Sequence, residues 1–122
     1  MEEKKCVMVV EDDEALGGII SSMLDLLGFQ TELANNAAKA LDIIQNKPVD
    51  YYIIDLSLPD SNGIHLYKQI FSEKPEIKGK VAFTSGHEVT EELQSFMGKH
   101  QIQFLPKPFT VDHIRNIVKD WK

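Results

Sequence analysis

The 122 residues make one domain's length, enough to bury a single core without disulfides or a structural metal. Apolar residues contribute 43% and charged residues 26%, which excludes a disordered chain, and no apolar run is long enough to span a membrane. A net charge of −6, from 19 acids against 13 bases, has no basic patch to offset it and disfavours direct nucleic-acid binding.

Cys6 is the single cysteine, so no internal disulfide is possible, and its place at the start of an apolar run predicts a buried, inert thiol. Met1-Glu2-Glu3-Lys4-Lys5 lacks the apolar stretch of a signal peptide. A cytoplasmic protein is expected.

Lys5–Val10 is a compact apolar run that reads as a strand covered on both faces and ends at Glu11-Asp12-Asp13. Leu16, Ile19, Ile20, Met23, Leu24 and Leu27 then recur at helical steps as one buried stripe, which Gly28 stops. Asp13 suits the cap of that helix. Phe29–Leu33 is a short alternating strand. Asn35 or Asn36 caps a second helix, with Ala37, Ala40, Leu41 and Ile44 inward and Pro48 beyond its end.

Val49–Ile54 is the central strand, and it stops at Asp55 before the turn Leu-Ser-Leu-Pro-Asp-Ser-Asn-Gly. An acid there serves either as a turn cap or as a functional group. Ile64–Phe71 is a third helix, Lys80–Phe83 a strand that stops at Thr84-Ser85-Gly86, and Thr90 opens a fourth helix that ends near Gly98. Gln101–Leu105 is the fifth strand, closed by Pro106-Lys107-Pro108, and Val111–Trp121 the last helix. His65, His87, His100 and His113 show no metal-ligand spacing and read as surface residues.

Five strand–helix alternations with short connections predict an α/β fold with a five-stranded parallel sheet between helices. Every strand then ends on one edge, where Glu11, Asp12, Asp13, Asp55, Thr84 and Lys107 converge. Crowded carboxylates repel unless a cation joins them, and oxygen ligands without clustered His or Cys point to Mg²⁺ rather than Zn²⁺. A carboxylate, a divalent ion, a Lys and a hydroxyl are the parts needed to bind and move a phosphoryl group.

The order of these groups resembles the receiver domain of two-component response regulators over the whole chain. The family's acidic pair falls on Glu11 and Asp12, its phosphoacceptor on Asp55, its loop Pro and Gly on Pro59 and Gly63, its hydroxyl on Thr84, and its Lys-Pro on Lys107 and Pro108. The resemblance implies a flavodoxin-like (βα)5 fold filling 1–122 as one domain, with no output domain. It implies that Asp12 and Asp55 hold Mg²⁺ directly, with Glu11 acting mainly through water and Ser57 through its backbone carbonyl, and that Mn²⁺ can substitute. It further implies a cis Lys107–Pro108 bond, and a switch in which Thr84 moves toward the phosphoryl group and Phe104 turns inward. Phe104 lacks the hydroxyl of the family's usual Tyr, and Ser85 and Ser61 also depart from its usual residues.

The implied function is Mg²⁺-dependent phosphoryl transfer to Asp55 from a histidine kinase or histidine phosphotransfer protein. The domain catalyses its own phosphorylation and dephosphorylation without being a turnover enzyme, and binds a downstream protein through its fourth helix, fifth strand and fifth helix. A receiver cut from a hybrid histidine kinase or longer regulator is the alternative. An aspartate-based Mg²⁺ phosphatase needs a second Asp where Ser57 stands, and a flavin protein lacks its phosphate loop here.

Overall fold

Short runs rich in Val, Ile and aromatic residues pair as strands, and the stretches with apolar residues at helical spacing coil, in the computed structural model, which describes residues 4–121. The strands are β1 (Cys6–Val10), β2 (Gln30–Ala34), β3 (Tyr51–Asp55), β4 (Val81–Ser85) and β5 (Gln103–Pro106). They alternate with α1 (Glu14–Leu26), α2 (Ala37–Asn46), α3 (Gly63–Glu73), α4 (Glu91–His100) and α5 (Val111–Val118). All pairings are parallel, in the order β2-β1-β3-β4-β5. Connections from β1 run outward in one direction and those from β3 in the other, so the order reverses between these two strands and opens a crevice beyond their carboxyl ends.

Alternation along each strand divides the core in two. Val7, Val9, Ile53, Ala82 and Leu105 pack with Ile20 and Leu24 of α1 and with Ile114, Ile117, Val118 and Trp121 at the end of the chain. Met8, Val10, Tyr52, Ile54, Val81 and Phe83 face the other way, onto α2, α3 and α4. The central strands are apolar on both faces, whereas the edge strands carry Gln30, Glu32 and Gln103, as partial exposure allows.

Each helix begins on a side chain that accepts a backbone N–H: Asp13 from Leu16, Asn36 from Lys39, Asn62 from His65, Thr90 from Leu93 and Thr110 from His113. Such a cap contributes about 1 kcal/mol. All five follow directly after a strand's loop, so the caps also fix where each loop must end.

Several boundaries differ from the sequence expectation for identifiable reasons. α4 continues past Gly98 and stops on Gln101, whose φ of 56° lets the Ile102 N–H reach the Met97 carbonyl at 2.8 Å. β5 consequently starts at Gln103 rather than Gln101. Ile19 is 51% exposed, because it stands one residue off the Ile20–Leu24 seam and rims an apolar hollow with Leu16, Met23, Pro108 and Phe109. His100 is half-buried among Tyr67, Phe71 and Phe96, with its Nδ1 3.1 Å from the Tyr67 hydroxyl, so it is a packing residue between α3 and α4. His113 is likewise used, its Nδ1 accepting the Thr110 N–H. Cys6 is only partly buried, at the edge of β1, and burial raises its thiol pKa above the ordinary value.

Gly63 opens α3 pressed against the end of β3. A Cβ there would stand 2.8 Å from the Asp55 carbonyl oxygen and 3.1 Å from the Leu56 Cα, and both are backbone atoms that cannot swing aside. Gly63→Ala is therefore expected to destabilise the fold by about 1–3 kcal/mol in urea unfolding, against the usual benefit of Ala in a helix. An unchanged or higher midpoint would refute the close approach.

Candidate functional site

Strand register gathers the polar ends of the central strands. Val10 pairs with Ile54, and Asp55 pairs with Thr84, so Glu11, Asp55 and Thr84 stand together at the carboxyl ends of three neighbouring strands. The segment after β5 joins them through the Lys107 N–H, which donates to the Ser85 carbonyl at 2.9 Å. A cavity of about 540 Å³ opens at this edge, walled by Glu11, Asp12, Asp13, Asp55, Lys107 and the loops after β3 and β4. Its position is the crevice at the reversal of strand order.

Lys107 lies at the centre of the charges. Its Nζ is 2.8 Å from Asp55 Oδ2 and 2.8 Å from Glu11 Oε1; the first contact is aligned as a hydrogen bond and the second is an ion pair without that alignment. Burial alone would lower the pKa of this ammonium, but the bonds to Asp55 and Glu11 outweigh it and raise the value above the ordinary one. The Lys107–Pro108 peptide bond is cis.

The carboxylates are held from both sides. Asp55 Oδ1 accepts the Ser57 N–H at 2.9 Å, so one oxygen faces the loop and the other faces Lys107. Glu11 Oε2 accepts the Asp13 N–H at 3.2 Å. Glu11 is 4% exposed, and burial pushes its carboxyl pKa up to about 7, although Lys107 and the Asp13 amide pull it down. Asp12 is exposed at the cavity mouth.

Carboxylate oxygens of Glu11, Asp12 and Asp55 lie within 4.8 Å of one another. Hard donors at that spacing, one of them the buried Glu11 Oε1 without a hydrogen bond, suit a divalent cation such as Mg²⁺. The donor set does not suit Zn²⁺.

Two of the expected switch residues do not line the cavity. Thr84 is 1% exposed, and its Oγ1 is buried without a hydrogen-bond partner. Phe104 stands beside Phe83 in register and is half-buried against the core on the α2–α4 side. The cavity has lining that sequence reasoning did not single out: Leu58, Gly86 and His87. His87 is fixed through its backbone N–H, which donates to Ser85 Oγ at 3.0 Å. These residues sit within four places of the predicted strand ends, and that proximity is the signal that could have found them.

Comparison with known proteins agrees with this architecture. The family model described as "Response regulator receiver domain" matches residues 7–119. Photosynthetic apparatus regulatory protein RegA of Rhodobacter capsulatus is 30% identical over 112 residues, covering 92% of this chain and 60% of RegA. Sporulation initiation phosphotransferase F of Bacillus subtilis is 26% identical over 121 residues, covering 99% of this chain and 94% of that protein. The chain thus spans three fifths of RegA, and 46% of a response regulator MprA from Mycobacterium, but nearly all of the Bacillus protein. Among solved structures, a CheY-like receiver domain from Methylobacillus flagellatus superposes with a TM-score of 0.84 at 26% identity, covering 98% of this chain and all of that one. A CheY-like receiver from Methanospirillum hungatei JF-1 gives 0.86 at 22% identity, which speaks for the fold alone. With the family model spanning both the acidic pair and the Lys-Pro, this chain belongs to the response regulator receiver domains.

Proposed function

We propose that this receiver domain takes a phosphoryl group onto Asp55 from a phosphohistidine of a histidine kinase or histidine phosphotransfer protein, and relays the change to a downstream protein. The observation that carries this reading is the Lys107 bridge, which aims one Asp55 oxygen at a cavity lined by further acids. Asp55 Oδ2 attacks phosphorus as the phosphorus–nitrogen bond breaks, and the imidazole leaves with the electron pair and takes up a proton. Lys107 exchanges its contact with Asp55 for one with the incoming phosphoryl oxygens. Asp12, Asp55 and the Ser57 carbonyl are assigned to Mg²⁺, with Glu11 acting through water and Mn²⁺ as a substitute. When bound, the ion neutralises charge on the transferring group.

The near full-length match to a protein named as a phosphotransferase supports a relay role for the domain. The shorter coverage of RegA and MprA fits a module of a longer regulator or a hybrid kinase equally in kind. The cytoplasm is the setting proposed for the pathway. No helix among the described residues is long and apolar enough to cross a membrane.

Thr84 and Phe104 are the proposed switch. A buried hydroxyl without a partner gains a hydrogen bond by turning toward the phosphoryl group, and Phe104 moves into the space it leaves. The face built from α4, β5 and α5 would carry the signal. α4 has a single buried residue, Met97, so it is the wall held least firmly by the core.

Acetyl phosphate with Mg²⁺ should add one phosphoryl mass to the chain, labile to hydroxylamine and absent in Asp55→Asn. Equal labelling of Asp55→Asn would move the acceptor elsewhere.

Glu11 makes metal-free stability depend on pH. Below about pH 4.5 it is protonated folded and unfolded alike, and above about 7 the fold must hold it ionised, so stability falls as pH rises between the two. The loss is on the order of 3 kcal/mol before solvent screening, and urea unfolding in chelator should show that Glu11→Gln flattens this slope. A slope unaltered by the substitution would place the proton on another group.

Beryllofluoride, standing in for the phosphoryl group on Asp55, should shift amide resonances through residues 84–107, beyond the cavity. Shifts confined to the neighbours of Asp12, Asp55 and Lys107 would make the domain a phosphate sink rather than a switch.

A further inference from the structure

The loop after β3 forms one wall of the cavity with Ser57, Leu58 and Pro59. Its base is closed by backbone bonds. The Leu56 N–H donates to the Thr84 carbonyl at 3.0 Å, the Gly63 N–H donates to the Leu56 carbonyl at 3.1 Å, and Ser57 forms an antiparallel bridge with Asn62. Its tip has a different support. Asp60 Oδ1 accepts the Ala37 N–H at 2.9 Å and Oδ2 accepts the Ala38 N–H at 3.1 Å, so one carboxylate grips the first turn of α2 with both oxygens. Among the described residues, these are the hydrogen bonds that join the tip, residues 58–61, to another element.

We propose that Asp60 is a positioning residue for phosphoryl transfer: by fastening the tip of the β3–α3 loop to the start of α2, it fixes the backbone around Ser57 that faces the cation and Asp55. The inference rests on the proposed function, whose site includes the Ser57 carbonyl. α2 does not need Asp60 for its own cap, because Asn36 already accepts the Lys39 N–H at 2.7 Å. The two amides that Asp60 takes are the ones Asn36 leaves free, at the positive end of the helix dipole. Those amides hold its carboxyl pKa below the ordinary value, as expected for an anion at a helix start. α2 in turn is seated by Ala37, Ala40 and Ile44 in the core, so the loop is tied to a fixed body. Leu58 adds apolar contact with the same core, but a side chain packed by dispersion can slide where two directed bonds cannot.

The test compares Asp60→Ala with Asn36→Ala, which weakens the α2 cap without touching the loop. Two readouts are followed on the full chain: Mg²⁺ titration of acetyl phosphate labelling, and amide hydrogen exchange at Ser57, Leu58 and Gly63. Asp60→Ala is expected to raise the Mg²⁺ concentration for half-maximal labelling by roughly 3- to 10-fold, with a smaller effect on the rate at saturation. It should also speed exchange at those three amides, and Asn36→Ala should do neither. Equal effects of the two substitutions would reduce Asp60 to a helix cap and overturn the proposal, as would loop exchange that Asp60→Ala leaves unaltered. If the unsubstituted chain takes no phosphoryl group, the proposed function fails, while the exchange measurement still decides whether Asp60 holds the loop.

Discussion

One ammonium sits between two carboxylates at the point where the sheet changes direction, and the polar edge of the domain is arranged around it. At the effective dielectric of about 20 that suits partly buried sites, each 2.8 Å contact of Lys107 is worth on the order of 5 kcal/mol of gross attraction. Desolvation offsets most of that sum. The net value is small, yet the contacts keep Glu11 and Asp55 from relaxing apart. A hydrophobic filling would stabilise the fold as well or better, so stability alone does not account for the charged arrangement.

The frame around that ammonium is stiff where stiffness matters. Glu11, Asp55 and Thr84 are set by parallel register between strands buried on both faces, which leaves little freedom to slip. Gly63 brings α3 against the Asp55 carbonyl, and Asn62 caps that helix one residue earlier. β3, its loop and α3 are therefore a single packed unit, while Lys107 reaches in from the far edge on a flexible stem.

Much of this was legible in the amino-acid order. Strands of Val and Ile that end on acids, helices with one apolar stripe and Asn or Thr at their starts, and short loops between them dictate the parallel sheet, and the sheet brings its carboxyl ends together. Glu11, Asp12, Asp55 and Lys107 could be placed at one edge because topology alone puts them there. What stayed hidden depended on distance or on side-chain direction. The grip of Asp60 on α2 joins residues 23 apart, which no local pattern reveals. The His100 packing needs Tyr67, 33 residues away, and looks like a surface His until α3 and α4 are side by side. Ile19 fits the helical stripe by spacing, and only the seat of α1 on the sheet shows that it lies outside the seam. Gly98 looks like a stop, yet α4 runs two residues past it because Gln101 adopts the left-handed conformation instead.

The sparse anchoring of α4 also bears on how such a domain can diversify. Glu91, Glu92, Gln94, Ser95 and Lys99 all face solvent, and substitutions at exposed positions of this kind usually shift stability by less than about 0.5 kcal/mol. The residues that hold the helix down, Leu93, Phe96, Met97 and His100, form a narrow strip beneath them. The outer face of α4 can therefore change its residues without disturbing the fold or the acidic cavity, which suits the partner face proposed for it. Under the proposed function, recognition and chemistry would occupy separable parts of one short sequence, so the same cavity could serve different partners.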